Sequence, residues 1–199
     1  MKELLKYIKS NYQEGEAIFL KDLKKLNLSY DNLRQKLKKL TDSNNIKRIS
    51  DGIYCYGNEP SAEEIITKRF IRRNNLTFGY FINNSLLKRM GMKVENYYDE
   101  IVTNDFKALV REINVLGVKI IVRHSKIAIN NDNCYILQLL DLIKNLHSLN
   151  ISQNKLEKVL GLYIKEHNIN KNEVDKYINL YPNITYKNFY KYNIGNILN

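Results

Sequence analysis

Between residues 29 and 48 the sequence collects side chains suited to recognising a polyanion. Asn32, Arg34, Gln35, Lys36, Lys38 and Lys39 fall close together, and Lys47 and Arg48 follow. Lysine and arginine neutralise phosphates, while Asn32 and Gln35 carry amides that can bond bidentately to an adenine edge in a major groove. Spacing sorts these residues. At about 100° per residue, Leu33, Leu37 and Leu40 share one side of a helix. Asp31, Asn32, Gln35, Lys38 and Lys39 take the opposite side, with Arg34 and Lys36 on the flanks. One face is apolar and the other carries amides and cations.

A helix must hold that face, and its ends are written locally. Ser29 stands as an N-cap, its hydroxyl able to accept from the free N–H groups of the next turn. The helix is expected from Tyr30 to about Thr41, where Asp42-Ser43-Asn44-Asn45 ends it. Upstream, Leu4, Leu5 and Ile8 predict a first helix over about residues 1–11, and Ala17-Ile18-Phe19-Leu20 a minimal strand. Leu20, Leu23 and Leu26 predict a short second helix, closed by a turn at Asn27-Leu28. Downstream, the β-prone runs Ile46–Ser50 and Ile53–Tyr56 flank Asp51-Gly52, a pair suited to the positive φ angles of a tight hairpin. A basic hairpin directly after a three-helix unit is the wing of a winged helix-turn-helix, in which Lys47 and Arg48 would reach a phosphate or a minor groove. A lysine face alone is common on solvated helices. The order helix, strand, helix, helix, hairpin within sixty residues is what distinguishes this segment. Ser29, Asn32, Arg34, Gln35, Lys36, Lys38, Lys39, Lys47 and Arg48 are therefore the candidate DNA-binding residues.

The charge agrees. The 199 residues carry a formal net charge of +11, which favours nucleic acid or an anionic membrane as partner. Residues 1–58 hold 12 Lys and Arg against 7 Asp and Glu. With 44% hydrophobic and 27% charged residues the chain can bury a core, so wholesale disorder is excluded. Charges interrupt Met1-Lys2-Glu3-Leu4-Leu5-Lys6 at once, unlike a signal peptide, and no apolar run approaches a membrane span. A cytoplasmic protein with no membrane partner is expected.

Catalytic constellations are missing from the pattern. Cys55 and Cys134 form no CxxC pair and no zinc spacing, so they read as small apolar residues. His124, His147 and His167 stand at no metal-ligand spacing. No phosphate-binding glycine loop and no nucleophile elbow occurs. Asp99, Glu100, Asp105, Glu112 and Asp132 surround predicted strands, with Lys119 across a hairpin from Glu112. A metal-dependent nuclease would need such groups to converge, and the spacing does not demand it. The expectation is a protein that is not an enzyme and has no cofactor or metal.

Asn58-Glu59-Pro60 marks a boundary, giving domains 1–58 and 60–199. In the second, Ser61 and Glu64 fit a capping box opening a helix to about Asn74, with Lys68, Arg69, Arg72 and Arg73 on it. Strands are expected at Leu76–Ile82, Tyr97–Thr103, Leu109–Val115, Val118–Arg123 and Ile127–Ile129, with a short helix at Ser85–Met90 stopped by Gly91. Residues 60–132 thus predict a small mixed sheet and residues 134–199 helices. The helical stripes are Ile136–Leu146, a second after Ser152, and a third capped by Asn170 and stopped at Pro182. The fold class is α+β.

Several motifs recur together: Arg48-Ile49-Ser50-Asp51-Gly52-Ile53-Tyr54, then Phe78-Gly79-Tyr80, Asn84-Ser85-Leu86-Leu87, Gly91 and Ile101-Val102-Thr103-Asn104. On these the chain resembles the AbiEi-like antitoxins of type IV toxin–antitoxin systems. The Tyr- and Asn-rich segment Tyr186–Leu198 departs from that pattern. The resemblance implies a regulator that binds double-stranded DNA at its own promoter and opposes a nucleotidyltransferase-like toxin, direct contact with the toxin not being implied, residues 60–199 being the antitoxin-like domain. The alternatives are a winged-helix protein–protein adaptor and the nuclease.

Overall fold

The computed structural model describes residues 2–95, 98–149 and 151–198. The chain is mixed α+β and divides into two compact units, Met1–Lys68 and Arg69–Asn199. Among the described residues no helix is long and apolar enough to cross a membrane.

The first unit begins with helix α1 (Lys2–Asn11) and the short strand β1 (Ile18–Phe19). A 3-10 turn, Asp22–Leu26, follows in place of the expected second helix. The leucines at 20, 23 and 26 repeat every three residues, the period of a 3-10 helix rather than the 3.6 of an α-helix. Helix α2 (Tyr30–Asp42) is capped by Ser29, whose Oγ accepts the N–H of Asn32 at 3.3 Å. It ends where Asn44 turns to φ 55° and the N–H of Asn45 bonds the carbonyl of Leu40, a left-handed stop that asparagine tolerates. Strands β2 (Lys47–Ser50) and β3 (Ile53–Cys55) form the hairpin. Of the two turn residues only Gly52 has positive φ, and a bulge between Arg48 and Ser50 takes up the register. The sheet order is β1-β3-β2, all antiparallel. Leu4, Ile8, Ile18, Leu23, Leu33, Leu37, Leu40 and Tyr54 share one core.

Helix α3 (Ala62–Ile66) also belongs to this unit, which runs past the Asn58–Pro60 boundary. Ser61 caps Glu64 N–H at 3.1 Å, but the Glu64 carboxylate serves a distant donor. It accepts the N–H of Ala17 at 3.1 Å and pairs with Lys68. The Ala17 N–H precedes an edge strand and needs an acceptor, so the reciprocal half of the capping box gives way to a tertiary bond.

The expected helix does not reach Asn74. After a π-helical turn, Thr67–Ile71, the chain enters β4 (Arg72–Arg73), which pairs with β5 (Leu76–Thr77). Asn74 and Asn75 both take positive φ, 51° and 61°, the requirement of a two-residue I′ hairpin. The expected strand Leu76–Ile82 is split between this hairpin and β6 (Gly79–Phe81). Helix α4 (Asn83–Arg89), β7 (Asp99–Thr103), β8 (Val110–Val115) and β9 (Val118–His124) follow, and the strands complete a four-stranded sheet of order β6-β7-β9-β8. Only β7 and β9 are parallel. The expected start of β7 at Tyr97 lies outside the described residues. Ile127–Ile129 is not a strand; Asn104 holds it instead, donating to the carbonyl of Ile129 at 2.7 Å and accepting its N–H at 3.0 Å.

Helices α5 (Cys134–Asn145), α6 (Gln153–Glu166), α7 (Lys171–Ile178), α8 (Asn183–Lys191) and α9 (Ile194–Ile197) close the chain. Asn170 caps α7 as expected, accepting Glu173 N–H. Pro182 opens α8, and the Tyr- and Asn-rich tail is helical. Buried Asn188 donates to the carbonyls of Ile143 and Lys144, satisfying the end of α5. Phe189 and Ile194 join the core that α5 and α6 supply.

Candidate nucleic-acid interface

Helix α2 displays the expected face. Leu33, Leu37 and Leu40 are fully buried, while Ser29, Asn32, Arg34, Gln35, Lys38 and Lys39 are exposed and Lys36 is half-buried. Asn32, Gln35 and Lys39, at i, i+3 and i+7, stand in one outward row. Arg34 and Lys38 flank it on one side and Lys36 on the other. The Ser29 hydroxyl is engaged by the cap, so its contribution to binding would pass through positioning of Asn32.

Two residues join this surface that the spacing of the cations does not reveal. Tyr30 is half exposed, with the Arg34 guanidinium 5.4 Å and the Lys24 ammonium 6.0 Å from its ring centre. The i, i+4 spacing of Tyr30 and Arg34 is the available signal. Lys24 reaches the ring only because the 3-10 turn precedes α2. The ring contact restricts the Arg34 side chain, which would lower the entropy cost of holding an anion there.

On the hairpin, Lys47 and Arg48 are exposed, and each meets a carboxylate. Lys47 lies 3.6 Å from Glu59 and Arg48 2.8 Å from Asp51. Exposed pairs of this kind contribute about 0–1 kcal/mol, so an incoming phosphate can replace them at small cost.

The cysteines and several of the acidic residues have structural partners or are buried. Cys55 and Cys134 are buried and free, and burial raises both thiols, which disfavours the reactive thiolate. Glu112 and Lys119 do meet, at 2.9 Å, as an exposed ion pair on the β8–β9 hairpin. Glu100 pairs with Arg123 and Asp99 with Arg89. Among the described residues no group of three or more His, Cys, Asp or Glu could hold a metal ion. The motif residues of the second unit hold the backbone. Thr103 Oγ1 donates to the carbonyl of Phe78 at 3.0 Å. A Cβ on Gly79 would lie 2.0 Å from the carbonyl oxygen of Phe70 and 2.7 Å from that of Val102. Compared with known proteins, the chain matches no family model and no curated protein.

Proposed function

We propose that the chain is a DNA-binding regulator whose first unit is a winged helix-turn-helix, with α2 as the recognition helix and β2–β3 as the wing. One observation carries the reading: a capped helix presents Asn32, Gln35 and Lys39 in an exposed row flanked by cations, and a hairpin bearing Lys47 and Arg48 follows it. Cations would fix the helix on phosphates and the two amides would read base edges. The finer reading is an AbiEi-like type IV antitoxin that represses its own promoter in the cytoplasm and opposes a nucleotidyltransferase-like toxin, with no catalysis of its own. It rests on the motif resemblance.

The test is titration of the full chain into labelled duplex from its own upstream region, by fluorescence anisotropy across salt concentrations. Binding that weakens steeply with salt and outcompetes unrelated duplex is expected. Absence of binding at low salt overturns the proposal. It would favour a winged-helix adaptor.

A further inference from the structure

The second unit buries a charge. Asp141 sits in α5 between Leu140 and Leu142, both fully buried, and is itself only 6% exposed. Its Oδ2 accepts from the Tyr80 hydroxyl at 2.8 Å, and its Oδ1 pairs with Lys144 one turn along the helix. Tyr181 stands beside them, donating to the carbonyl of Leu137 at 3.1 Å, with the Lys144 ammonium 5.7 Å from its ring centre. Burial, reinforced by the Asp141 charge, raises the Tyr80 phenol, which therefore stays a donor. Taking a carboxylate out of water is costly, and only its pairing and hydrogen bonds offset that cost.

This polar group lies on the wall of a cavity of about 310 Å³, at the small end of ligand sites. Val102 and Ile127 also line it, and Leu109 and Leu180 stand at it 78% and 62% exposed. Large apolar residues left in water beside a concave polar wall are the features of a site that an amphipathic ligand completes. Its charged lining is Lys126, Lys144, Asp141 and Arg123, the last paired with Glu100 at 3.2 Å. Lys144 has three N–H donors, one used on Asp141, and its side chain is a third exposed. Lys126 lines the same cavity, is exposed, and has no ion pair among the described residues. Asp141 neutralises one ammonium and leaves the other.

We infer that this cavity binds a small organic anion, a carboxylate or a phosphate monoester on an apolar body, with Lys126 and Lys144 holding the anion and Leu109, Leu180 and Val102 holding the body. The inference is independent of DNA binding, because the cavity lies wholly within the second unit and is read by direct binding.

Calorimetric titration of the full chain with phenylacetate and with phenyl phosphate tests it, 2-phenylethanol serving as the uncharged control. At least one anion should bind with a Kd of about 1 mM or tighter, and the better of the two names the anionic group. The alcohol should bind about tenfold more weakly or not at all. Lys126→Ala removes an exposed side chain and should leave the circular dichroism unchanged while weakening the anion about tenfold. Leu180→Ser should weaken the anion as well, by removing part of the apolar contact. Failure of both anions to bind overturns the inference. So does anion affinity unchanged in Lys126→Ala, and so does equal binding of the alcohol, which would make the cavity a neutral apolar hole.

Discussion

Replacing Lys38 and Lys39 with alanine tests the DNA reading most directly, because the structure separates the binding effect from any effect on folding. Both side chains are exposed on α2, and neither has an ion pair among the described residues. The Lys39 carbonyl accepts Ser43 N–H and Oγ, bonds that survive truncation of the side chain. Alanine is the best helix former, so stability should hold or rise slightly. Each phosphate that the protein ceases to neutralise takes about 0.9 off the slope of log K against log salt. Removing two ammonium groups therefore makes the slope shallower by about 1.8, and between about 50 and 200 mM salt the advantage of the native chain should shrink by roughly a factor of ten. The loss of affinity should be equal on cognate and unrelated duplex, since phosphates carry no sequence. Anisotropy titrations at four or more salt concentrations measure the slope, with circular dichroism as the folding control. A folded double variant with the native slope would place these lysines away from DNA and refute the assignment of this face of α2.

Gln35 makes a contrasting case: Gln35→Ala should cost about 1–3 kcal/mol on the cognate site and little on random duplex, as competition titrations would read, and equal losses would reassign it to backbone positioning. Gly79→Ala should destabilise the second unit by about 3 kcal/mol in urea denaturation, because its Cβ meets two backbone carbonyls that cannot rotate away; a native transition would mean that the β6–β7 approach relaxes freely. Leu116 holds φ 48° and Gly117 φ 84° in the β8–β9 turn, so Leu116→Asn should stabilise by about 1 kcal/mol, and a lower denaturation midpoint would show that the half-exposed leucine packs usefully. His167 stacks on Tyr135 at 3.7 Å, and burial lowers its pKa below 6.5 although Glu166 opposes the shift. The unfolded chain thus binds the proton more readily, so stability in urea titrations should fall as pH drops below about 6.5; His167→Phe should flatten that dependence.

Where structure is written in neighbouring residues, the sequence reveals it. The Ser29 cap, the leucine side of α2, the two-residue turn before Ile53 and the stripe of α5 each depend on spacings of four residues or fewer. The pattern misleads where an asparagine acts as backbone. Asn74-Asn75 makes a hairpin turn that continued helical spacing conceals, Asn104 replaces strand pairing at Ile129, and Asn188 caps a helix more than forty positions away. In a chain this rich in asparagine, composition suggests solvated loops. Whether a given amide faces water or a carbonyl is decided only by tertiary packing, and that is why the helices within Tyr186–Leu198 are hard to see in the sequence.

The two candidate sites differ in legibility for the same reason. The α2 surface is a single helix, so its face follows from angular arithmetic on one segment, and only the Tyr30–Lys24–Arg34 stack depends on the fold. The Asp141 cluster joins Tyr80 to a carboxylate 61 positions away and Lys126 to neither in sequence. Asp141 is one of the few polar residues on the apolar helix α5. It is turned inward, with a tyrosine and a lysine to meet it. Burying this carboxylate among leucines costs desolvation that an apolar side chain would avoid, and both of its oxygens are engaged to offset it. The lysines that would hold an anion there, Lys126 and Lys144, are likewise brought to one cavity only by the fold.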